Sequence, residues 1–155
     1  MGIILAIDFG EKRTGIAATD PLQLIASGLT TVPTQEAISF LKDYCATHTV
    51  DSCVVGLPKQ MNNTPSEVEP KIQVFIAQLS SALPTLTIVR YDERFTSKMA
   101  TQSMVAGGLK KQKRKNKELV DKISATLLLQ SYLDASLHAK KSLWYYPLLL
   151  MEAQY

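Results

Sequence analysis

Cysteine is scarce in this chain: there are two in 155 residues, Cys45 and Cys53. A pair so placed reads as buried thiols rather than as a disulfide framework. Histidine is equally scarce. His48 and His138 stand in no ligand spacing to each other or to the cysteines, which argues against a zinc site. No apolar run reaches the roughly 18 residues that a membrane-spanning helix needs. The first such run, Ile3 to Ile7, is broken by Asp8 and is too short for a signal-peptide core. The expectation is a cytoplasmic protein with no membrane partner. Aromatic residues make up only 7% of the chain. The single tryptophan, Trp144, lies beside Tyr145-Tyr146 among Leu143 and Leu148 to Met151, a setting that favours packing over base stacking. Three catalytic or phosphate-binding signatures are also missing: Gly-x-Ser-x-Gly, a Walker-type loop and Gly-x-Gly-x-x-Gly.

What is present fits one globular domain. Apolar residues are 46% and charged residues 20%, ordinary values for a folded chain. A chain of this length buries roughly 68–70% of its unfolded surface without covalent staples. The net charge of +3 is bland, but its distribution is not. Six basic residues crowd one short segment with no acid among them: Lys110, Lys111, Lys113, Arg114, Lys115 and Lys117. The rest of the chain carries a slight acidic excess. Such a block repels itself, stays solvated, and favours a polyanionic partner, nucleic acid above all.

The hydrophobic pattern gives an order of elements. Ile3 to Ile7 and Gly15 to Thr19 read as a hairpin turning at Gly10 to Arg13. A third strand is predicted over Gly28 to Val32. Thr34 is the expected N-cap of a helix carrying Ala37, Ile38, Leu41, Tyr44 and Cys45. Ser52 to Leu57 is continuously apolar, as a buried parallel strand is. Ser66 and Glu69 have capping-box spacing before Val68, Ile72, Phe75, Ile76 and Leu79, with Pro70 as a mild objection to that helix. Leu86 to Tyr91 reads as a strand, Thr96 to Val105 as a short helix closed by Gly107-Gly108, and Glu118 to about Leu137 as a long, largely buried helix. Antiparallel strands first, then strands alternating with helices, predict a mixed five-stranded α/β sheet with helices on both faces. The domain spans residues 1–139, and an apolar tail over 140–155 packs on the body or on a partner.

Acidic residues stand at unusual places in this pattern. Asp8 closes the first strand, Asp92 and Glu93 close the last, and Asp121 lies in the most apolar helix. Carboxylates are rarely buried without a partner or a metal. Parallel strands present their C-terminal ends on one edge, where ligands bind. If the first and last strands are neighbours, Asp8 and Glu93 share that edge, and a helix across the sheet adds Asp121. Three carboxylates together need a cation, and an all-oxygen ligand set suits Mg²⁺ or Mn²⁺. Paired ions of this kind support phosphodiester hydrolysis.

Four blocks together resemble the YqgF family of bacterial proteins. Asp8-Phe9-Gly10-Glu11-Lys12-Arg13-Thr14-Gly15-Ile16-Ala17-Ala18-Thr19-Asp20 matches Asp-x-Gly-x-x-Arg-x-Gly-x-Ala-x-x-Asp. Val54 to Pro58, Asp92 to Ser97, and Lys117 to Leu133 supply the other three, in the family's order. Met61-Asn62-Asn63-Thr64 departs from the pattern, with Asn where Gly is usual. The resemblance implies a ribonuclease H-like fold and a nuclease that matures the 5′ end of precursor 16S ribosomal RNA. It also implies that Asp8, Glu93 and Asp121 are metal-binding catalytic acids, with Glu93 preferred to Asp92 on the motif match; adjacent strand residues face opposite sides, so only one of the two enters the pocket. Arg13 and Arg94 become phosphate contacts or partners of the acids.

The main expectation is therefore a divalent-metal-dependent endonuclease on structured nucleic acid. Precursor ribosomal RNA is favoured as the substrate, with branched DNA as the alternative. A Holliday junction resolvase and a non-catalytic ribosome-assembly factor are the competing functions. A sugar kinase or actin-like ATPase needs two domains around its nucleotide, and 155 residues do not supply them.

Overall fold

A computed structural model describes residues 2–58, 67–92 and 122–136. Five strands form one sheet: β1 (Ile3–Asp8), β2 (Arg13–Thr19), β3 (Ala26–Pro33), β4 (Val50–Leu57) and β5 (Thr87–Asp92). Helix α1 is Thr34–Thr47, α2 is Glu69–Ala82, and a third helix, α3, covers 122–136. The strand order is β3-β2-β1-β4-β5. Strand β2 pairs antiparallel with both β1 and β3, whereas β4 pairs parallel with both β1 and β5. The mixed sheet is thus as expected. The first and last strands are not neighbours, however, because β4 separates β1 from β5.

The buried strands follow from composition. Ile3-Ile4-Leu5-Ala6-Ile7 is apolar on both faces, and it lies in the centre of the sheet under two layers of helix. Strand β5 lies at one edge, and β3 is the other. Strand β3 is half-exposed, and it ends in Pro33, which offers no N–H to a further strand.

Alternation along the strands makes two cores. On one face Ile3, Leu5, Ile7, Ile16, Cys53 and Val55 pack against Ala37 and Leu41 of α1 and Ile72, Phe75 and Leu79 of α2. On the other, Ile4, Ala6, Ala17 and Val54 meet Ala125, Leu128 and Leu129 of α3. Ala6, Ala17 and Gly28 leave room on this second face, and α3 lies close at Gly28. A Cβ on Gly28 would come within 2.8 Å of the Lys122 stem. The fully buried stripe of α3 follows i, i+3, i+4 spacing, and Ile123 and Leu127 keep partial exposure.

Two helix starts differ from expectation. Pro33, not Thr34, occupies the N-cap of α1, with no side-chain cap bond, and Thr34 is the first helical residue. Its hydroxyl is used elsewhere, as described below. Helix α2 begins from Val68, again without a side-chain cap, and Pro70 sits in the first turn, where its missing N–H costs no helical bond. Glu69 is engaged by Arg90 rather than by a capping box; Ser66 lies outside the described residues. The short helix expected over Thr96 to Val105, the basic segment and the 140–155 tail also lie outside them. Among the described residues, no helix is long and apolar enough to cross a membrane.

Candidate active site

Asp8 is the last residue of β1, and β1 is the middle strand of five. It is half-buried and opposite Gly15 of β2. Alternation places it on the face of Ile4 and Ala6, the face covered by α3. Its level on the neighbouring strand is fixed by the pair Ile7–Val55, one residue earlier, so Gly56 comes next on β4. Gly56 in turn pairs with Tyr91 of β5. The two outer strands of this trio stand two spacings apart, about 10 Å. Gly56 places no side chain in that gap.

The register also separates the two adjacent acids of the last strand. Tyr91 packs with the α3 core, whereas Ile88 packs with the α1–α2 core. Asp92 shares the parity of Ile88 and Arg90, so it stands on the opposite face from Asp8. Glu93 and Asp121, the other two expected catalytic acids, lie outside the described residues. So do Arg94, Lys110, Lys111, Lys113, Arg114, Lys115 and Lys117. Among the described residues no three of His, Cys, Asp and Glu gather as a metal cluster.

Arg13 opens β2, half-buried, two residues before Gly15 and with the same parity. It therefore stands on the same edge and the same face as Asp8. Between them runs the turn 9–12, held from several sides. A Cβ on Gly10 would lie 2.3 Å from the Arg13 carbonyl oxygen, so only glycine fits. Thr34 donates its hydroxyl to the Gly10 carbonyl at 2.5 Å and its N–H to the Lys12 carbonyl at 3.0 Å. Its hydroxyl is also 2.9 Å from that of Thr14. Phe9 packs on Phe75 of α2, with ring centroids 5.3 Å apart. Glu11 meets Lys71 at 2.9 Å, an exposed pair of little energetic weight.

Two further anchors fix the neighbouring strand ends. Arg90 bonds both oxygens of Glu69, at 2.7 and 3.0 Å, and donates to the carbonyls of Val55 and Gly56 at 3.3 and 3.0 Å. One guanidinium thereby ties β5, the end of β4 and the start of α2 together. The hydrogen bonds from Arg90 hold the Glu69 carboxyl below the usual glutamate range. On the other face, the Tyr91 hydroxyl lies 3.0 Å from the Ser131 hydroxyl, and its ring meets Tyr132 edge-on. Tyr91 thus pins α3 to the strand next to the gap. From the sequence, Arg90 carries no assigned role, and Thr34 is expected only as a helix cap. A lone arginine inside the apolar strand Leu86 to Tyr91 was the available signal for the first. The second carried a signal that pointed elsewhere, to a cap.

A family model described as "RuvX: Holliday junction resolvase" matches residues 2–135. The chain belongs to this family. The match bears out the resemblance carried by the four sequence blocks, and the mixed five-stranded sheet with helices on both faces is the ribonuclease H-like arrangement that the resemblance implied. A relative from Christiangramia forsetii is 56% identical over 133 residues, which cover 86% of this chain and 98% of the relative. One from Flavobacterium johnsoniae is 54% identical over 132 residues, covering 85% and 96%. Both bear the name "Putative pre-16S rRNA nuclease". Among solved structures, T. thermophilus RuvC in complex with a Holliday junction substrate matches with a TM-score of 0.48 and 16% identity, covering 83% of this chain and 92% of that one.

Proposed function

We propose that this chain is a divalent-metal-dependent endonuclease whose substrate is the 5′ region of precursor 16S ribosomal RNA. The observation that carries this reading is the placement of Asp8. It ends the central strand on the edge where two parallel strands also end, beside a side-chain-free position, with Arg13 on the same face. The name borne by relatives over 50% identical supports the substrate.

The donor chemistry fits a hard cation. Asp8 offers carboxylate oxygen, and the thiols stand apart from it. Cys53 packs on the opposite face, where burial raises its thiol far above the usual range. His48 follows the far end of α1. In this reading Asp8, Glu93 and Asp121 would hold Mg²⁺ or Mn²⁺ through their carboxylate oxygens. The bound metal supplies Lewis-acid activation of a water and charge neutralisation at the phosphate. Glu93 rather than Asp92 serves as ligand, since Asp92 has the parity of the Arg90 face. Arg13 contacts a phosphate of the substrate. The basic segment from Lys110 to Lys117, with Arg94, gathers the polyanion by charge.

The description of the family as Holliday junction resolvases favours a second reading, in which branched DNA is cut. A cleavage assay with Mn²⁺ or Mg²⁺ separates the two. End-labelled precursor 16S leader RNA and a four-way DNA junction are offered to the same preparation. Selective cutting of the RNA supports the proposal. Paired symmetric cuts in the junction support the resolvase instead. Binding without metal-dependent cutting of either contradicts both and leaves an assembly factor.

A further inference from the structure

We infer that Thr34 is a positioning residue for the active-site turn, acting through the backbone that joins Asp8 to Arg13. The inference rests on the nuclease reading of Asp8, but the geometry stands by itself. A carbonyl oxygen only accepts, so the single hydroxyl proton of Thr34 is committed to the Gly10 carbonyl at 2.5 Å. The 2.9 Å contact with Thr14 must then run the other way, with the Thr14 hydroxyl donating to Thr34. Thr14 is fully buried, so this proton has no water to turn to. The result is a directed chain, from Thr14 through Thr34 to Gly10. A third bond, from the Thr34 N–H to the Lys12 carbonyl at 3.0 Å, holds the other side of the same turn.

Helix α1 supplies the rigid support. Its first residue is Thr34, and Ala37 and Leu41, fully buried, seat the helix on the sheet. The turn follows Asp8 directly and ends at Arg13, so a shift of its backbone moves both residues. Gly10 is at the crowded point, where a Cβ would collide with the Arg13 carbonyl. Glycine gives the turn its shape but also leaves it free to take others. The Thr34 hydroxyl removes that freedom. A helix cap, the ordinary employment of a threonine here, is not its role: α1 has no side-chain cap bond.

The test compares Thr34→Val, which keeps the shape and loses the hydroxyl, with Thr34→Ser, which keeps the hydroxyl. Three readouts are taken: Mn²⁺ affinity by calorimetry, amide hydrogen exchange at residues 9–13, and Mn²⁺-dependent cleavage. The valine variant should bind Mn²⁺ about ten-fold more weakly, in the range found when groups that orient metal ligands are removed. Its turn amides should exchange faster than those of the wild type. The serine variant should restore both. Should Thr34→Val fail to fold, Thr14→Val/Thr34→Val leaves no buried hydroxyl stranded and carries the same expectation. Wild-type Mn²⁺ affinity in the valine variants overturns the inference, as does equal impairment by valine and serine. An Asp8→Asn protein that binds Mn²⁺ as well as the wild type sinks the nuclease reading alone. The exchange rates then still decide whether Thr34 fixes the turn.

Discussion

At the scale of single residues, the account depends most on the turn after β1. Gly10 has no tolerated replacement there, because the clash at 2.3 Å is with backbone and cannot be relieved by turning a side chain. Gly10→Ala should therefore lower Tm and weaken Mn²⁺ binding together, whereas a variant that only lost a ligand would do the second alone. Thermal melting beside calorimetry distinguishes them. Arg13→Ala should raise KM for RNA more than it lowers kcat, and Arg13→Lys should recover part of the loss, since a lysine keeps the charge without the two-pronged contact. Steady-state kinetics on one RNA substrate provides the check. Asp8, Gly10 and Arg13 were legible in the sequence because their chemistry is local: an acid closing an apolar strand, then a tight turn. Thr34 was not, since its partners lie 20 and 24 residues away. Local spacing made it look like a cap.

At the scale of elements, the strand ends are held by the pair Arg90–Glu69, whose side chains keep 22% and 12% of their exposure. Glu69→Gln breaks a charge-assisted, two-pronged contact and should cost about 1–3 kcal/mol at pH 7. The folded-state carboxyl lies below its ordinary value of 4.5, so its stabilisation is fully present above that pH. It is lost as pH falls through the depressed value. Urea unfolding of wild type and Glu69→Gln should thus differ at pH 7 and converge in acid. A difference independent of pH would show that the charge is not the cause. Helix α3 gives a second case. Leu129 is fully buried against the alanine-rich face, and Leu129→Ala should cost about 2–5 kcal/mol in the same assay. Among the described residues, strand and helix identities were readable from periodicity, including α3. Which strands pair was not. Parallel neighbours arise from crossovers, and nothing local told that β4 would come between β1 and β5. That insertion changes the site, placing Gly56 between the two strand ends rather than one acid beside another.

At the scale of the whole molecule, Asp8 and Arg13 share one edge and one face of the sheet, and in the proposed function the basic residues from Lys110 to Lys117 draw the substrate by charge. Replacing those six basic residues by glutamine should flatten the salt dependence of RNA binding. With a slope of roughly 0.7–0.9 per neutralised phosphate, the change in slope is up to about 4–5. Single-turnover cleavage at saturating RNA should change far less. Binding isotherms at several salt concentrations measure the first, and rapid quenching the second. The central claim is that Asp8 anchors a metal-dependent nuclease site, and Asp8→Asn tests it most directly. Amide replaces acid at nearly the same size, so the fold should persist, with an unchanged far-ultraviolet spectrum and a Tm near that of the wild type. Mn²⁺-dependent cleavage of precursor 16S leader RNA should fall at least about a thousand-fold, the loss expected when an essential group of the site is removed. A folded Asp8→Asn protein that cuts the same RNA at the wild-type rate would contradict the account.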